Sequence, residues 1–438
     1  MGRRVLGWLT PAFGFKRYVL LFVVGACVGS VGLADLLRRV WPLRRLETHA
    51  PVSPEVQALG FVALGAIVIL VAMRGMLSSV RSAALSSDGE GLFRLYPEAA
   101  LASRGPRVVV LGGGTGLSVL LRGLKRYTWN ITAVVAVSDD GGSSGRLRQE
   151  LSIPPPGDIR NCLVALAETE PLMERLFQHR MQSGGELEGH AFGNLFLAAM
   201  TQVTGDFDEA IRASSRVLAV RGTVLPSTLE PVVLRGELAD GRVVEGESAI
   251  ARSDVPIQRV SLSPESPDPV PGVLQAIADA DMIVMGPGSL YTSVLPNLLV
   301  RGMTEALRGS RATKVHVANI MTQPGETDRM TAADHTRALL SHGASVDVVV
   351  VNTRSLPADA LMRYQLGGSE PVQADVEGMR ELGIRAVTGL LWDTSTGVVR
   401  HDPDALARIL LGILWERRPW NAMRPREAQQ RGTKESAS

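Results

Sequence analysis

Two stretches of the chain have the residue types of a phosphate cradle. The first is Gly112-Gly-Gly-Thr-Gly116, placed directly after the apolar run 108–111 and directly before Leu117, Leu120, Leu121 and Leu124 at helical spacing. A β-branched run that ends in glycines and continues with a 3.6-residue apolar period reads as strand, tight turn and helix. Glycine permits positive φ and close approach of a ligand to the backbone. The free N–H groups and the positive end of the following helix attract an anion, most often a phosphate. The second stretch is Gly286-Pro-Gly-Ser289, after the apolar residues 283–285 and before Leu290, with Ser289 and Thr292 as further donors. Taken singly, either corner has tight strand–helix packing as its competing explanation. Two corners closing on one ligand explain both.

Between them lies Ser138-Asp-Asp-Gly-Gly-Ser-Ser-Gly145, at the end of a second β-branched run over 131–137. The spacing is that of a βαβ unit, in which an acidic residue at the second strand end accepts hydrogen bonds from ribose hydroxyls. Here the carboxylate is doubled, so Asp139 and Asp140 are also candidates to hold Mg²⁺ beside a diphosphate. The competing reading is a helix cap and turn cluster, which Asp, Ser and Gly also favour. Pro154-Pro-Pro-Gly-Asp-Ile-Arg-Asn161 is a rigid turn into a helix that presents Asp158, Arg160 and Asn161. Arg160 is either a bidentate phosphate grip or a solvated side chain at a capped helix start. His190 and Asn194 share one helix face at a spacing of four. Asn194 is read as a base or sugar contact and His190 as structural. Asn319, at the end of a further strand over 314–318, opens another polar loop through Thr327.

Several chemistries are excluded. The first corner lacks the Gly-Lys-Ser/Thr ending of a Walker loop, and Leu117 stands where the dinucleotide fingerprint needs its last glycine. An NAD-type oxidoreductase is therefore disfavoured. No nucleophile elbow and no paired-histidine zinc motif is present. A net charge of +2 and 5% aromatic residues give no case for nucleic-acid binding. The two cysteines, Cys27 and Cys162, are too far apart in sequence to suggest a metal site and too few for a disulfide framework.

The elements that must position these groups alternate strand and helix, which predicts a doubly wound, Rossmann-like α/β fold with a mostly parallel sheet. Residues 218–265 interrupt it with a β-rich insertion whose Asp240-Gly241 pair is a hairpin turn. Two charge-free apolar runs, 18–34 and 58–73, precede this domain. They lack the stripe of a surface helix and are near the lower length limit for spanning hydrocarbon, so a transmembrane helical hairpin is expected. The expected organisation is a membrane anchor over 1–80, a linker over 81–105, a ligand-binding domain over 106–415 and a disordered tail over 416–438.

The domain closely resembles the gluconeogenesis factor family, bacterial relatives of 2-phospho-L-lactate transferase with the CofD-like fold. The resemblance is carried by the Gly112, Ser138 and Gly286 motifs above, by Pro155-Pro-Gly-Asp-Ile-Arg-Asn161, by Gly189-His-Ala-Phe-Gly-Asn194 and by Asn319-Ile-Met-Thr-Gln-Pro-Gly-Glu-Thr327. It runs in order from about 106 to 415. It implies a cytoplasmic domain that binds UDP-sugars such as UDP-N-acetylglucosamine or UDP-glucose. It also implies a regulatory role in envelope synthesis and cell morphogenesis during gluconeogenic growth. The alternative is a Mg²⁺-dependent transferase acting on a nucleotide-activated phospho-compound, as in the transferase cousins, where Asp139 and Asp140 match acidic residues at the metal and substrate site. The expected ligand contacts are Gly113, Gly114, Thr115, Gly116, Asp139, Asp140, Gly142, Ser143, Asn161, Asn194, Gly286, Gly288, Ser289, Leu290 and Asn319. No residue is assigned a catalytic role, and no cofactor is required for binding, with Mg²⁺ at Asp139 and Asp140 the one candidate. The partners expected are the UDP-sugar, a second copy in a homodimer and, through the hairpin, the inner or plasma membrane.

Overall fold

The computed structural model describes residues 105–417 apart from 169, 170, 183, 395 and 396, and further upstream only 26, 29–31, 60, 63–71 and 73. The chain divides into two compact units, Met1–Ala100 and Leu101–Ser438.

The larger unit is built on a seven-stranded parallel sheet. Its strands are β1 (Val108–Gly112), β2 (Ile131–Val135), β3 (Thr223–Pro226), β7 (Met282–Met285), β8 (Thr313–Val317), β9 (Val348–Asn352) and β10 (Arg385–Gly389), in the spatial order β10-β9-β8-β7-β1-β2-β3. Strands β1, β7 and β9 read as almost unbroken apolar runs because both faces of the sheet are covered. Val108 and Val110 of β1 face one core, with Leu120, Leu121 and Leu124 of helix α1 (Gly114–Leu124) and Leu406, Leu410 and Leu414 of the C-terminal helix Pro403–Arg417. Val109 and Leu111 face the other core. Order reverses between β1 and β7: the chain leaves β1 toward β2 and β3 on one side, and later adds β7 to β10 on the other. A crevice at such a switch point, past the carboxyl ends of the strands, is where open α/β sheets take ligands.

The insertion forms a three-stranded antiparallel sheet of β4 (Val233–Leu238), β5 (Val243–Glu245) and β6 (Ile257–Ser263), with β4 in the middle. The Asp240-Gly241 turn joins β4 to β5 as expected, with Gly241 at φ 83°. Leu234 and Leu238 alternate with outward-facing Val233, Arg235 and Glu237. The inward set joins Val109 and Leu111 in the second core, so the insertion is a fixed layer over the sheet. Two sheet strands escaped the sequence reading. Both β3 and β10 are edge strands, where one neighbour is missing and the apolar run is weaker.

The expected transmembrane hairpin is not supported. Among the described residues no helix is long and apolar enough to cross a membrane. Most of the run 18–34 lies outside the described residues, as does the tail beyond 417. In the smaller unit residues 63–71 are helical, and a Cβ on Gly29 would lie 3.9 Å from the Cα of Gly65.

Candidate functional site

The two glycine corners meet. Strands β1 and β7 pair in parallel up to Leu111 opposite Met285, and the Gly286 N–H then donates to the Leu111 carbonyl at 2.9 Å. A Cβ on Gly116 would stand 2.7 Å from the Pro287 carbonyl oxygen and 2.9 Å from the Gly288 Cα. A Cβ on Gly288 would come within 3.3 Å of the Gly113 carbonyl oxygen. Gly114 takes φ 65°, a conformation that L side chains rarely adopt. Glycine is therefore required at 116 for contact between the corners and at 114 for the turn itself.

Each corner opens a helix, and each opening faces a carboxylate of this chain. At the second, Glu326 is buried and its Oε1 accepts from the Tyr291 N–H at 2.6 Å, the Thr292 N–H at 3.3 Å and the Ser289 hydroxyl. Ser289 Oγ also lies 2.5 Å from Thr292 Oγ1. The sequence led us to expect these donors to meet a ligand anion; here they meet Glu326. Asn319 is similarly engaged, with its Oδ1 accepting from the Gly288 N–H at 3.2 Å and its Nδ2 donating to the Gly288 carbonyl at 2.8 Å. Leu290 is buried. Ser289, Leu290 and Asn319 thus brace the second corner. At the first corner Asp158 accepts from the Gly114 N–H, and its Oδ2 lies 2.6 Å from where a Gly113 Cβ would be. Thr115 is exposed beside it.

The adjacent aspartates diverge. Asp139 Oδ1 accepts from the Gly141 N–H at 2.9 Å, and its Oδ2 sits 3.5 Å from the Cβ position of Gly157, one residue before Asp158. Asp140 turns to the insertion, where its Oδ1 accepts from the Ser248 N–H at 2.9 Å. Glu247 precedes that serine, in the short helix Glu247–Ile250, and brings a further carboxyl to the group. Helix α2 (Gly142–Leu151) starts here, with Gly142 exposed at φ 49° and Ser143 buried. Ser143 Oγ accepts from Asn194 Nδ2 at 3.0 Å and lies 3.1 Å from His190 Nδ1. Asn194 is only 2% exposed, so it supports Ser143 from behind, as His190 does. Asn161, on helix α3 (Pro156–Leu166), is half-buried and accepts from Arg160 Nη2 at 2.7 Å.

The electrostatics follow from this crowding. Burial, with Asp139, Asp158, Glu326 and Asp140 nearby, pushes the Glu247 carboxyl up to about 9. Burial and the Asp139 charge push Asp158 up to about 6, against the Gly114 N–H and Arg160, which favour the anion. Burial raises Glu326 as well, against its three donors. Carboxylates crowded in this way disfavour a bare diphosphate, and a divalent cation would offset that repulsion. Among the described residues no group of three or more His, Cys, Asp or Glu side chains is arranged to hold a metal ion. Mg²⁺ characteristically takes one or two carboxylates and completes its shell with phosphates and water, so Asp139 alone would suffice.

A pH test follows. Glu247 and Asp158 keep a proton in the folded state at pH values where the unfolded chain has released it. Their contribution is full below the unfolded carboxyl range, and is lost as pH rises through about 6 for Asp158 and about 9 for Glu247. Glu247→Gln mimics the protonated carboxyl. We expect it to leave the thermal midpoint at pH 5 nearly unchanged and to raise it by a few degrees at pH 9. A variant that tracks the wild type across that range would contradict the assignment.

Glu326 and Asp158 stand in motifs visible in the sequence, but nothing there set them above the polar residues beside them. Glu247 had no signal, because it reaches the site from the insertion.

Known proteins similar to this chain fall in one family. The family profile of 2-phospho-L-lactate transferase CofD matches residues 108–392. The gluconeogenesis factor of Bacillus subtilis is 50% identical over 313 residues, which span 71% of this chain and 99% of its own. A relative from Nostoc sp. is 45% identical over 416 residues, covering 92% of this chain and 91% of its own. A crystal structure of a UPF0052 family protein from Bacillus halodurans superposes with a TM-score of 0.68 at 50% identity, covering 69% of this chain and 99% of that one.

Proposed function

We propose, since this chain belongs to the CofD family and within it to the gluconeogenesis factors, that it is a regulatory protein that binds a UDP-sugar. One observation supports this reading above the rest: the two glycine corners touch at the switch point between β1 and β7. The diphosphate would lie against the opening of α1 at Gly113, Gly114, Thr115 and Gly116. The second corner, already braced by Glu326 and Asn319, would form the opposite wall. Asp139 would hold Mg²⁺ against the diphosphate, with Asp140 fixing the insertion beside it, and Asn161 would face the uridine or sugar. Its output would be envelope synthesis and cell shape under gluconeogenic growth, with a homodimer as the working form.

Calorimetry of the full chain with UDP-N-acetylglucosamine, UDP-glucose, GTP and NAD, with and without Mg²⁺, tests this. A UDP-sugar is expected to bind best and to remain unchanged. Preference for NAD would sink the reading. Turnover of a nucleotide-activated substrate, lost in Asp139→Asn, would instead establish the transferase alternative, which the family's description favours.

We further propose that residues 1–80 tether the protein to the membrane. Val31, Leu64, Ile67, Leu70 and Val71 are each at least half exposed in the smaller unit, and exposed apolar helical faces seek lipid. The full chain should sediment with membranes, and a chain lacking 1–80 should stay in the supernatant with its ligand binding intact. An aggregated truncation would assign the apolar runs to the core instead.

A further inference from the structure

The acidic groups lie toward the glycine corners, and beyond them the charge changes sign. Arg160 on α3 is 8% exposed. Its stem is wedged against Gly193, where a Cβ would lie 2.6 Å from Arg160 Cδ, and that position is also 2.8 Å from a Phe177 ring carbon. Its Nη2 serves Asn161, while its Nε is buried with no hydrogen-bond partner. Next to Gly193, Asn194 is buried with an unpartnered Oδ1. Arg180 pairs across from Ala191 in a short antiparallel bridge and donates to the Gly189 carbonyl at 3.0 Å. Arg146 of α2 donates to the Glu188 carbonyl at 2.7 Å.

Three guanidinium groups from three elements therefore gather on residues 188–194. Among the described residues none of the three has a carboxylate within ion-pair distance. The charged groups that face this cluster are Asp158 and Asp139 beside Arg160, and Glu150 beside His190. Arg160 and Arg180 repel each other. Like charges held together, with a buried donor left unpaired, cost stability unless an acceptor joins them. Planar guanidinium forks match phosphate oxygens in geometry and charge.

We propose that Arg146, Arg160 and Arg180 form a receptor for a phosphate-type anion beside the first glycine corner. The anion is either a phosphate of the nucleotide ligand or the phosphate of a second molecule. The receptor does not depend on the nucleotide being a UDP-sugar.

The test is calorimetry of the full chain with inorganic pyrophosphate and with inorganic phosphate, in the absence of Mg²⁺. Pyrophosphate should bind, more weakly as salt is added. Arg180→Gln and Arg146→Gln, both at exposed positions, should each weaken it about tenfold. Arg160→Lys keeps the charge but loses the fork and should weaken it similarly; if it fails to fold, the two exposed variants carry the test. Competition with UDP-N-acetylglucosamine would identify the anion as the nucleotide's own. Simultaneous binding would identify a second phosphorylated molecule. Either result upholds the receptor. Equal affinity in the wild type and the exposed variants, or no binding of either anion by the wild type, would overturn it. A wild-type chain that binds pyrophosphate but no UDP-sugar would sink the nucleotide-sugar reading and leave the receptor standing.

Discussion

Glu326→Ala is expected to lower the unfolding free energy by about 3 kcal/mol, read as a fall in the urea midpoint at constant slope. The magnitude comes from what the carboxylate holds. It is the acceptor for the Tyr291 and Thr292 N–H groups and the Ser289 hydroxyl at the second corner. Alanine leaves the Tyr291 N–H without an acceptor in a buried turn, at about 1–3 kcal/mol, and takes the charged acceptor from the Ser289 hydroxyl at a similar cost, while the Thr292 N–H keeps the Ser289 Oγ at 3.2 Å. Relief from burying a carboxyl whose second oxygen has no partner returns part of that cost. Glu326→Gln retains an acceptor oxygen and should lose about 1 kcal/mol. If the alanine variant matched the wild type, the second corner would be held by other contacts and the bracing role would be wrong.

Gly116→Ala is expected to damage both stability and ligand binding. The added methyl would meet the Pro287 carbonyl oxygen at 2.7 Å and the Gly288 Cα at 2.9 Å. Both are backbone atoms of the opposite corner, and that corner is fixed by Asn319 on both polar groups of Gly288. No rotamer change relieves such a contact, so the corners must separate. Overpacking of this kind costs about 1–3 kcal/mol. The separation also opens the wall against which a diphosphate would rest, so UDP-sugar affinity should fall at least about tenfold. Gly241→Ala is a control: Gly241 is exposed in the hairpin turn of the insertion and nothing lies within 4 Å of its Cβ position. Its φ of 83° gives the substitution a modest strain cost, without any clash between the corners. Equal loss of binding in both variants would mean that contact between the corners is not what matters.

Much of the framework was legible because it follows from local rules. The runs 108–111 and 283–285 declared strands, the glycines that follow declared turns, and the parallel sheet buries both of its faces as such runs require. That the corners lie side by side depends on β7 entering the sheet next to β1 across a long sequence separation, which no local pattern encodes. The same limit explains the donors at the second helix opening. Their type was correctly read from Ser289 and Thr292, but their partner, Glu326, is 37 residues beyond Ser289. Asp139 and Asp140 looked like a pair, yet one faces the corners and the other ties down the insertion, a division set by the Ser248 N–H more than a hundred residues away in sequence. Glu247 was invisible for want of any motif around it.

The central claim is that both corners form one nucleotide-sugar site. The structure of the full chain with UDP-N-acetylglucosamine and Mg²⁺ bound tests it most directly. The diphosphate is expected within hydrogen-bond distance of the backbone N–H groups at 114–116, with the metal on Asp139 and the Gly286–Gly288 turn as the facing wall. A nucleotide seated elsewhere on the domain, with both corners empty, would contradict it.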